Sequence, residues 1–267
     1  MRIIIIASGE AYQNAAAWAA GTYVVHSELV TVLLPEREKV RPFLRRQSKA
    51  LGFMIGRFPF RLISDQKFTS QLKCQAYHFA VSELKRNELV LFVDADTCCF
   101  RPILFREDIL RSIRSGRIGL IPDIADHHFK APTDCWYLTH KERLTYVNSG
   151  VVLASSASLA LFDRFRQLSE RPEFLHGPFN DQKVINFALG KFFHDKLLLL
   201  DKSYNWIGPP FSADAAIGHC AGGAGWLGSQ RRKTIHEQVC ADILAGKNLN
   251  LNEPQKTMKD GHRPGTA

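Results

Sequence analysis

The stretch Leu89-Val90-Leu91-Phe92-Val93-Asp94-Ala95-Asp96 (residues 89–96) carries the most information in the chain. Its five consecutive apolar residues predict a strand with both faces buried, which is typical of the central strands of an α/β sheet. Asp94 and Asp96 follow at the carboxyl end of this strand. Open α/β sheets bind their ligands at that end. The stretch therefore predicts both a fold class and the position of a site.

Short apolar runs and helical stretches alternate on both sides of residues 89–96. This alternation predicts an α/β fold in which helices cover the faces of a sheet. The predicted strands are residues 3–7, 29–34, 58–63, 89–93, 118–121, 147–154, 196–200 and 215–218. The predicted helices are residues 11–20, 36–51, 69–84, 158–170, 181–189 and 231–245. Residues 122–145 are predicted to form a long loop of the kind that is usually functional or mobile, and residues 247–267 a polar, disordered tail.

The 267 residues hold 35 Lys and Arg against 26 Asp and Glu, so the formal net charge is +9. An apolar share of 45% excludes a disordered, collagen-like or coiled-coil chain. The basic excess favours a phosphate-bearing partner, which is a nucleotide, a nucleic acid or an anionic membrane. Six scattered cysteines without a CxxC pair argue against a disulfide scaffold and a zinc ribbon. Because every apolar run is too short for a signal peptide or a membrane span, we expect a soluble protein of a reducing cytoplasm.

Three charged residues point to a ligand. Asp94 and Asp96 hold like charges close together, and hard oxygen ligands of this kind suit Mg²⁺ or Mn²⁺ bridging a diphosphate. The alternative is a pair of loop carboxylates that cap the next element. Lys73 falls on the apolar face of the predicted helix 69–84 and in its first turn, where the helix dipole disfavours a cation. It is expected either to reach toward an anion or to extend along its own stem to solvent.

Three further segments combine polar residues with element boundaries. Asn148-Ser149-Gly150 begins an apolar strand, and its glycine permits close approach of a ligand or of another backbone, although turn chemistry alone also explains it. Asp181 and Gln182 are expected either to bind polyol hydroxyls or simply to start a helix. His219 precedes a glycine-rich loop. Its imidazole suits the same metal, and the glycine N–H groups suit phosphate oxygens.

Taken in order, these motifs resemble those of the GT-A glycosyltransferases, and most closely the glycogenin-like and lipopolysaccharide galactosyltransferase-like group known as family 8. The resemblance covers residues 1–228 and rests on Lys73, Phe92-Val93-Asp94-Ala95-Asp96-Thr97, Asn148-Ser149-Gly150-Val151, Asn180-Asp181-Gln182, Tyr204-Asn205 and His219-Cys220-Ala221-Gly222. It implies one GT-A, Rossmann-like, nucleotide-diphospho-sugar transferase domain over residues 1–246, with a mixed central sheet flanked by helices. It also implies a metal-dependent hexosyltransferase that uses Mn²⁺ or Mg²⁺ and a UDP-sugar.

The resemblance further implies roles for individual residues. Asp94, Asp96 and His219 would hold the metal. Asp181 and Gln182 would be the catalytic residues. The substrate-binding residues would be Ala7, Ser8, Tyr12, Lys73, Asp94, Asn148, Ser149, Gly150, Asp181, Gln182, Gly222 and Gly225. The implied reaction delivers a hexose to a glycan or lipid-linked acceptor with retention of the anomeric configuration.

One position departs from the family's pattern. Family members usually follow the His-x-x-Gly with Lys-Pro-Trp, whose lysine binds the departing diphosphate, whereas Gly225 stands at the lysine position here. Either Arg231, Arg232 or Lys233 takes its place, or the chain is a weak or inactive nucleotide-sugar-binding homologue. Asp-x-Asp after an apolar strand also fits a haloacid-dehalogenase-type phosphatase, in which Asp94 would be the nucleophile.

Two expectations concern macromolecular partners. A nucleic-acid-binding role is not expected, because the basic residues form no stripe interleaved with aromatic residues. Much of the positive charge lies in residues 37–46 and 57–61, outside the motifs. This charge favours a cytoplasmic protein in peripheral contact with the anionic inner face of a membrane that carries a lipid-linked acceptor.

Overall fold

The computed structural model of the chain describes residues 1–27, 29–60, 69–123, 146–174, 180–208, 211–220, 230–247 and 249. Their strands are β1 (Arg2–Ile6), β2 (Val30–Pro35), β3 (Met54–Phe58), β4 (Leu89–Val93), β5 (Thr97–Cys99), β6 (Ile118–Pro122), β7 (Val147–Ser155), β8 (Leu197–Leu199), β9 (Trp206–Ile207) and β10 (Ile217–His219). Their α-helices are α1 (Glu10–Val24), α2 (Pro42–Leu51), α3 (Thr69–Ser82), α4 (Glu107–Arg114), α5 (Leu159–Ser169), α6 (Asn180–Phe192) and α7 (Gln230–Leu244).

A mixed sheet of seven strands forms the centre, in the order β3-β2-β1-β4-β7-β6-β8. β1 pairs in parallel with both β2 and β4, so the strand order reverses between β1 and β4. The carboxyl ends of these two strands therefore border one crevice, the usual ligand site of an open α/β sheet. β7 runs antiparallel to β4 and brings its first residues to the same edge.

β7 loses its register with β6 at this edge. Leu120 of β6 pairs with Val152, whereas the next residue, Ile121, pairs with Asn148. Residues 149–151 therefore bulge out of the ladder with β6, while Val151 stays paired with Val93 of β4. Bulges of this kind change the direction of side chains beside functional sites.

Apolar side chains of the sheet alternate between two cores. Ile4 and Ile6 of β1 face the core that α3, α5 and α6 cover. Ile3 and Ile5 face the core that α1, α2 and α4 cover. A smaller sheet, in the order β5-β10-β9, packs beside α1 and α7. The four isoleucines alternate with the period of two that a strand imposes, and both faces are buried, as a parallel central strand requires.

The α/β fold with a mixed, helix-flanked sheet is confirmed, but two predicted elements were wrong in extent. The strand predicted at 58–63 is β3, which ends before Pro59 because proline has no N–H to donate to a neighbouring strand. The helix predicted at 36–51 begins only at Pro42, a residue suited to the first helical turn. It ends at Gly52, whose φ of 82° favours glycine.

The strands β5 and β9 were not predicted, since each is too short to show a clear period. The helix α4 was not predicted either, although Ile109, Leu110 and Ile113 recur in it at helical spacing. The predictions for residues 61–63, for most of the loop 122–145 and for nearly all of the tail 247–267 lie outside the described residues. Within the described part of the chain, no helix has both the length and the apolar character needed to cross a membrane.

Candidate metal and nucleotide-sugar site

Three ligand atoms meet at the carboxyl end of β4. Asp94 and Asp96 follow β4, and His219 is the last residue of β10, which pairs with Thr97 of β5. His219 Nε2 lies 3.2 Å from Asp96 Oδ1 and 3.7 Å from Asp94 Oδ2. One ligand atom from each of the three side chains lies within 4.8 Å of the others. The pairing of β5 with β10 thus joins residues that are more than 120 positions apart in the sequence.

The orientation of the His219 ring is fixed by two asparagines. Asn205 donates its Nδ2 to Asn148 Oδ1 over 2.8 Å, so its own Oδ1 faces His219 Nδ1 at 3.0 Å and accepts the Nδ1–H. His219 Nε2 then carries the lone pair and faces the two carboxylates. Three acceptors converge stably only when a cation or a proton lies among them. This donor set of two carboxylates and a neutral imidazole fits a divalent cation such as Mn²⁺.

The pKa shifts of the three side chains indicate that the cluster favours a bound positive charge. Burial alone would lower the pKa of His219, but Asp96 and Asp94 outweigh it and raise the pKa above its usual value. Burial alone would raise the pKa of Asp96, but His219 lowers it overall. The pKa of Asp94 is raised by burial, although Lys73 and His219 offset part of that rise. The carboxylates and the imidazole are shielded from solvent, so they favour binding a proton or a metal ion.

Gly150 is required by the position of the His219 ring. A Cβ on Gly150 would lie 2.3 Å from His219 Cε1 and 2.6 Å from Nδ1, closer than real contacts allow. The backbone N–H of Gly150 donates to Asn148 Oδ1 over 2.7 Å, the same oxygen that Asn205 reaches. The glycine in the Asn148-Ser149-Gly150 segment therefore admits a protein side chain of the site, where the sequence suggested a ligand or another backbone.

Lys73 joins the cluster to α6. Its Nζ lies 2.7 Å from Asp94 Oδ1 and 2.9 Å from Asp181 Oδ2. Ser149 Oγ donates to the same Asp181 oxygen over 2.7 Å. Burial alone would lower the pKa of Lys73, but Asp181 and Asp94 raise it well above its usual value. Lys73 is thus a charged lysine that extends from the first turns of α3 to two carboxylates. The three carboxylates of Asp94, Asp96 and Asp181 carry more negative charge than this one lysine neutralises.

Gln182 is held in place on the far side of Lys73. Its Nε2 donates to Asp123 Oδ2 over 2.7 Å, and its Oε1 accepts the backbone N–H of Ser149 at 3.3 Å. Asn186, one turn further along α6, exchanges two hydrogen bonds of 2.8 Å with the backbone of Val147. These bonds tie α6 to the bulged start of β7, so Asp181 and Gln182 face the crevice from a rigid support.

The loop after β1 forms another wall, and a residue from the loop after β2 holds it. Glu38 accepts hydrogen bonds from Ser8 Oγ at 2.7 Å, from the backbone N–H of Gly9 and from Gln13 Nε2 at 2.6 Å. Tyr12 is half-buried near the cluster, and burial raises the pKa of its phenol while the charge of Lys73 lowers it. Ala7 is buried at the end of β1, hydrogen-bonded to β2.

The structure brings together most of the predicted site residues. Those that converge at the crevice are Ala7, Ser8, Tyr12, Lys73, Asp94, Asp96, Asn148, Ser149, Gly150, Asp181, Gln182 and His219. Gly222 and Gly225 lie outside the described residues, as do the side chains of Arg231 and Arg232. Lys233 lies on α7, with its Nζ 4.0 Å from Glu237.

Three contributors escaped prediction as site residues. Asn205 belongs to a quoted motif, but nothing in the sequence indicates that its side chain holds His219. Asp123 follows the predicted strand 118–121 and accepts a hydrogen bond from Gln182. Glu38 accepts a hydrogen bond from Ser8 and is one of several charged residues in its segment. The only available signal was that Asp123 and Glu38 each lie shortly after an apolar run, at the strand end where ligands bind.

Comparisons with known proteins agree with this architecture. No protein-family model and no curated protein sequence matches the chain. Solved structures do match, among them the galactosyltransferase LgtC in complex with donor and acceptor sugar analogues, with a TM-score of 0.60 and 13% identity over 95% of this chain and 98% of LgtC. Mouse xyloside xylosyltransferase 1 in its apo form matches with a TM-score of 0.54 and 12% identity over 82% of this chain and 96% of the enzyme.

A third match is the apo structure of the bifunctional glycosyltransferase WbbM, with a TM-score of 0.56, 14% identity and 83% coverage of this chain. The chain spans only 46% of the length of WbbM. At such low identities the likeness concerns the fold, and the chain therefore has the fold of the GT-A glycosyltransferases. Membership of family 8 stays a prediction.

Proposed function

We propose that the chain is a metal-dependent hexosyltransferase that takes a nucleoside-diphosphate sugar, a UDP-sugar above all, and transfers the hexose to a glycan or lipid-linked acceptor with retention. The observation that carries this proposal is the convergence of Asp94, Asp96 and the Nε2 lone pair of His219 at the strand-order reversal. A phosphate-binding metal at this place suits a nucleotide diphosphate. The shared glycosyltransferase fold supports the same conclusion.

Sugar transfer builds negative charge on the departing diphosphate. A divalent cation held by Asp94, Asp96 and His219 would supply Lewis-acid stabilisation of that charge. Lys73 lies beside Asp94 and is positively charged, so it adds a second cationic group on the donor side. Mn²⁺ is the proposed ion, with Mg²⁺ as the alternative.

Asp181 and Gln182 are the proposed residues for the sugar end of the donor. Both are almost fully buried, and both are oriented by hydrogen bonds, Asp181 by Ser149 and Gln182 by Asp123. Groups fixed in this way position sugar hydroxyls at little entropic cost. The proposed contacts for the nucleotide are Ala7 and Ser8, which follow β1, together with Tyr12 in the first turn of α1.

The departing diphosphate needs a cationic contact in addition to the metal. Gly225 replaces the lysine that the family uses there. Arg231, Arg232 and Lys233 follow close by at the start of α7, and this helix packs beside β5, next to Asp96. We propose that one of these three cations takes over the contact to the leaving diphosphate.

The experiment is a thermal-shift screen of nucleoside-diphosphate sugars with Mn²⁺ and with a chelator, followed by measurement of nucleotide release. A metal-dependent rise in Tm for a UDP-sugar, together with released UDP, is the expected result. A metal-dependent shift without UDP release would identify a nucleotide-sugar-binding homologue. Release of phosphate from simple phosphomonoesters with no response to any nucleotide sugar would identify a phosphatase instead.

A further inference from the structure

Residues 36–57, which contain α2 and its flanking segments, hold an unusual share of the positive charge. Seven lysines and arginines stand there against two glutamates, so this segment contributes +5 of the net charge of +9. All seven cationic residues are exposed, and we call them the α2 basic surface. They are Arg37, Lys39, Arg41, Arg45, Arg46, Lys49 and Arg57.

The helix separates an apolar side from a basic side. Phe43 packs against Trp18 of α1, with the ring centroids 5.6 Å apart. At 100° per residue, Arg45 and Lys49 lie on the opposite side of α2, and Arg41 directly precedes the first residue of the helix. The helix packs against α1, and the edge strand β3 follows it in the chain. The basic side therefore faces outward from the molecule.

Few of these charges are neutralised by the residues that the structure describes. Arg41 lies 3.4 Å from the carboxylate of Glu10, and both side chains are exposed. Arg57 donates to the backbone carbonyl of Pro35. Glu38 is occupied by the hydrogen bonds from the loop after β1. Among the described residues, no other carboxylate forms an ion pair with the α2 basic surface, so its positive field extends into solvent.

We infer that the α2 basic surface docks on an anionic phospholipid membrane. Single-stranded nucleic acid is disfavoured, because no aromatic residue of the described segment 36–57 is exposed for stacking on bases. Met54 on the edge strand β3 leaves 54% of its surface exposed and offers an apolar side chain to the headgroup region. Each lysine or arginine beside an anionic bilayer strengthens binding about fivefold.

The surface begins at the same edge of the sheet as the candidate site. β1 and β2 are parallel, and residues 36–41 follow the carboxyl end of β2. Glu38 connects this segment directly to Ser8 and Gly9. A membrane bound here lies close to the site edge, within reach of a lipid-linked acceptor. The docking goes beyond the proposed function and does not depend on it.

The test is sedimentation of the full chain with vesicles of phosphatidylcholine containing one third phosphatidylglycerol, without metal, donor or acceptor. The variant Arg45→Glu, Arg46→Glu, Lys49→Glu is expected to bind at least about 100-fold more weakly than the unchanged protein. The control Lys85→Glu, Arg86→Glu, Arg111→Glu changes the net charge equally at exposed positions elsewhere. It is expected to bind within about threefold of the unchanged protein.

Equal weakening by both triple variants would overturn the inference, because net charge alone would then explain binding. Equal binding to vesicles of pure phosphatidylcholine would also overturn it, and so would tighter binding to duplex DNA than to the anionic vesicles at the same salt. Circular dichroism and Tm verify that both variants are folded. Since no donor or metal is present, failure here leaves the proposed transfer activity untouched.

Discussion

The candidate site and the α2 basic surface border the same edge of the sheet, yet their charges are arranged in opposite ways. The site collects acidic groups that are largely buried, and each of them has a partner: Lys73 contacts Asp94 and Asp181, and His219 contacts Asp96. The α2 basic surface collects basic groups that are exposed, and most of them have no carboxylate partner in the described part of the chain. The net charge of +9 reflects basic groups such as those of the α2 basic surface and does not reveal the acidic groups of the candidate site.

The difference has a thermodynamic consequence. Removing one member of a buried pair leaves its partner desolvated and uncompensated, which costs several kcal/mol. Removing an exposed charge costs the fold almost nothing, and alters only long-range attraction to a partner. We therefore expect substitutions in the site to change activity, metal binding or stability strongly, and substitutions on α2 to change only association.

The largest expected effect follows from Asp96→Asn. Metal-dependent transfer should fall at least about 1,000-fold, since a cation that stabilises a leaving diphosphate supplies several kcal/mol. The measurement is release of UDP from the UDP-sugar that the screen identifies, at saturating Mn²⁺. Asp108→Asn removes an exposed carboxylate that pairs with Arg106 and should leave turnover unchanged. Near-normal turnover by Asp96→Asn would contradict the assignment.

Lys73→Met should lower the free energy of unfolding by about 3 kcal/mol, because Asp94 and Asp181 then face each other without a cation. Urea denaturation at neutral pH measures this change. Adding Asp181→Asn to Lys73→Met should recover part of the loss, because it removes one of the two facing charges. A loss below about 1 kcal/mol for Lys73→Met would mean that these groups are effectively solvated.

Asn205→Ala should weaken Mn²⁺ binding about 10- to 100-fold, because the His219 ring loses the group that fixes its orientation. Calorimetric titration with Mn²⁺ is the direct measurement. Gln238→Ala removes an exposed side-chain amide on α7 and serves as the matched control. Unchanged affinity in Asn205→Ala would show that the three ligand atoms hold their positions without this hydrogen bond.

A single substitution on the α2 basic surface should affect the protein least. Arg45→Ala should leave the free energy of unfolding within about 0.5 kcal/mol of the unchanged protein, since Arg45 is exposed and has no carboxylate partner among the described residues. The same variant should bind anionic vesicles about fivefold more weakly. Destabilisation by more than about 1 kcal/mol would show that the α2 surface also supports the fold.

The sequence predicted what is encoded locally. The apolar run 89–93 followed by Asp94 and Asp96 is visible without any knowledge of distant residues, and it became the central strand β4 and the acidic turn. The position of Lys73 within an apolar helix face likewise indicated a nearby anion. The structure adds that the neighbouring anions are two carboxylates of the protein itself.

What escaped prediction depends on pairing between distant segments. β5 has only three residues and exists as a strand because it pairs with β10, which brings His219 to Asp96. Glu38 reaches Ser8 because β1 and β2 are parallel and end at one edge. The edge strand β3 was misplaced because its exposed residues weaken the apolar signal of a strand. Such contacts are set by register, which a single sequence does not display.

If Asp94, Asp96 and His219 hold a divalent cation that binds a nucleoside diphosphate, the affinity for UDP depends on that cation. This dependence is measured by titrating UDP into the protein, with Mn²⁺ and with a chelator, for the unchanged chain and for Asp96→Asn. The predicted result is one binding event that requires Mn²⁺ and is lost in Asp96→Asn. Equal affinity for UDP with and without Mn²⁺, or binding that is unchanged in Asp96→Asn, would contradict it.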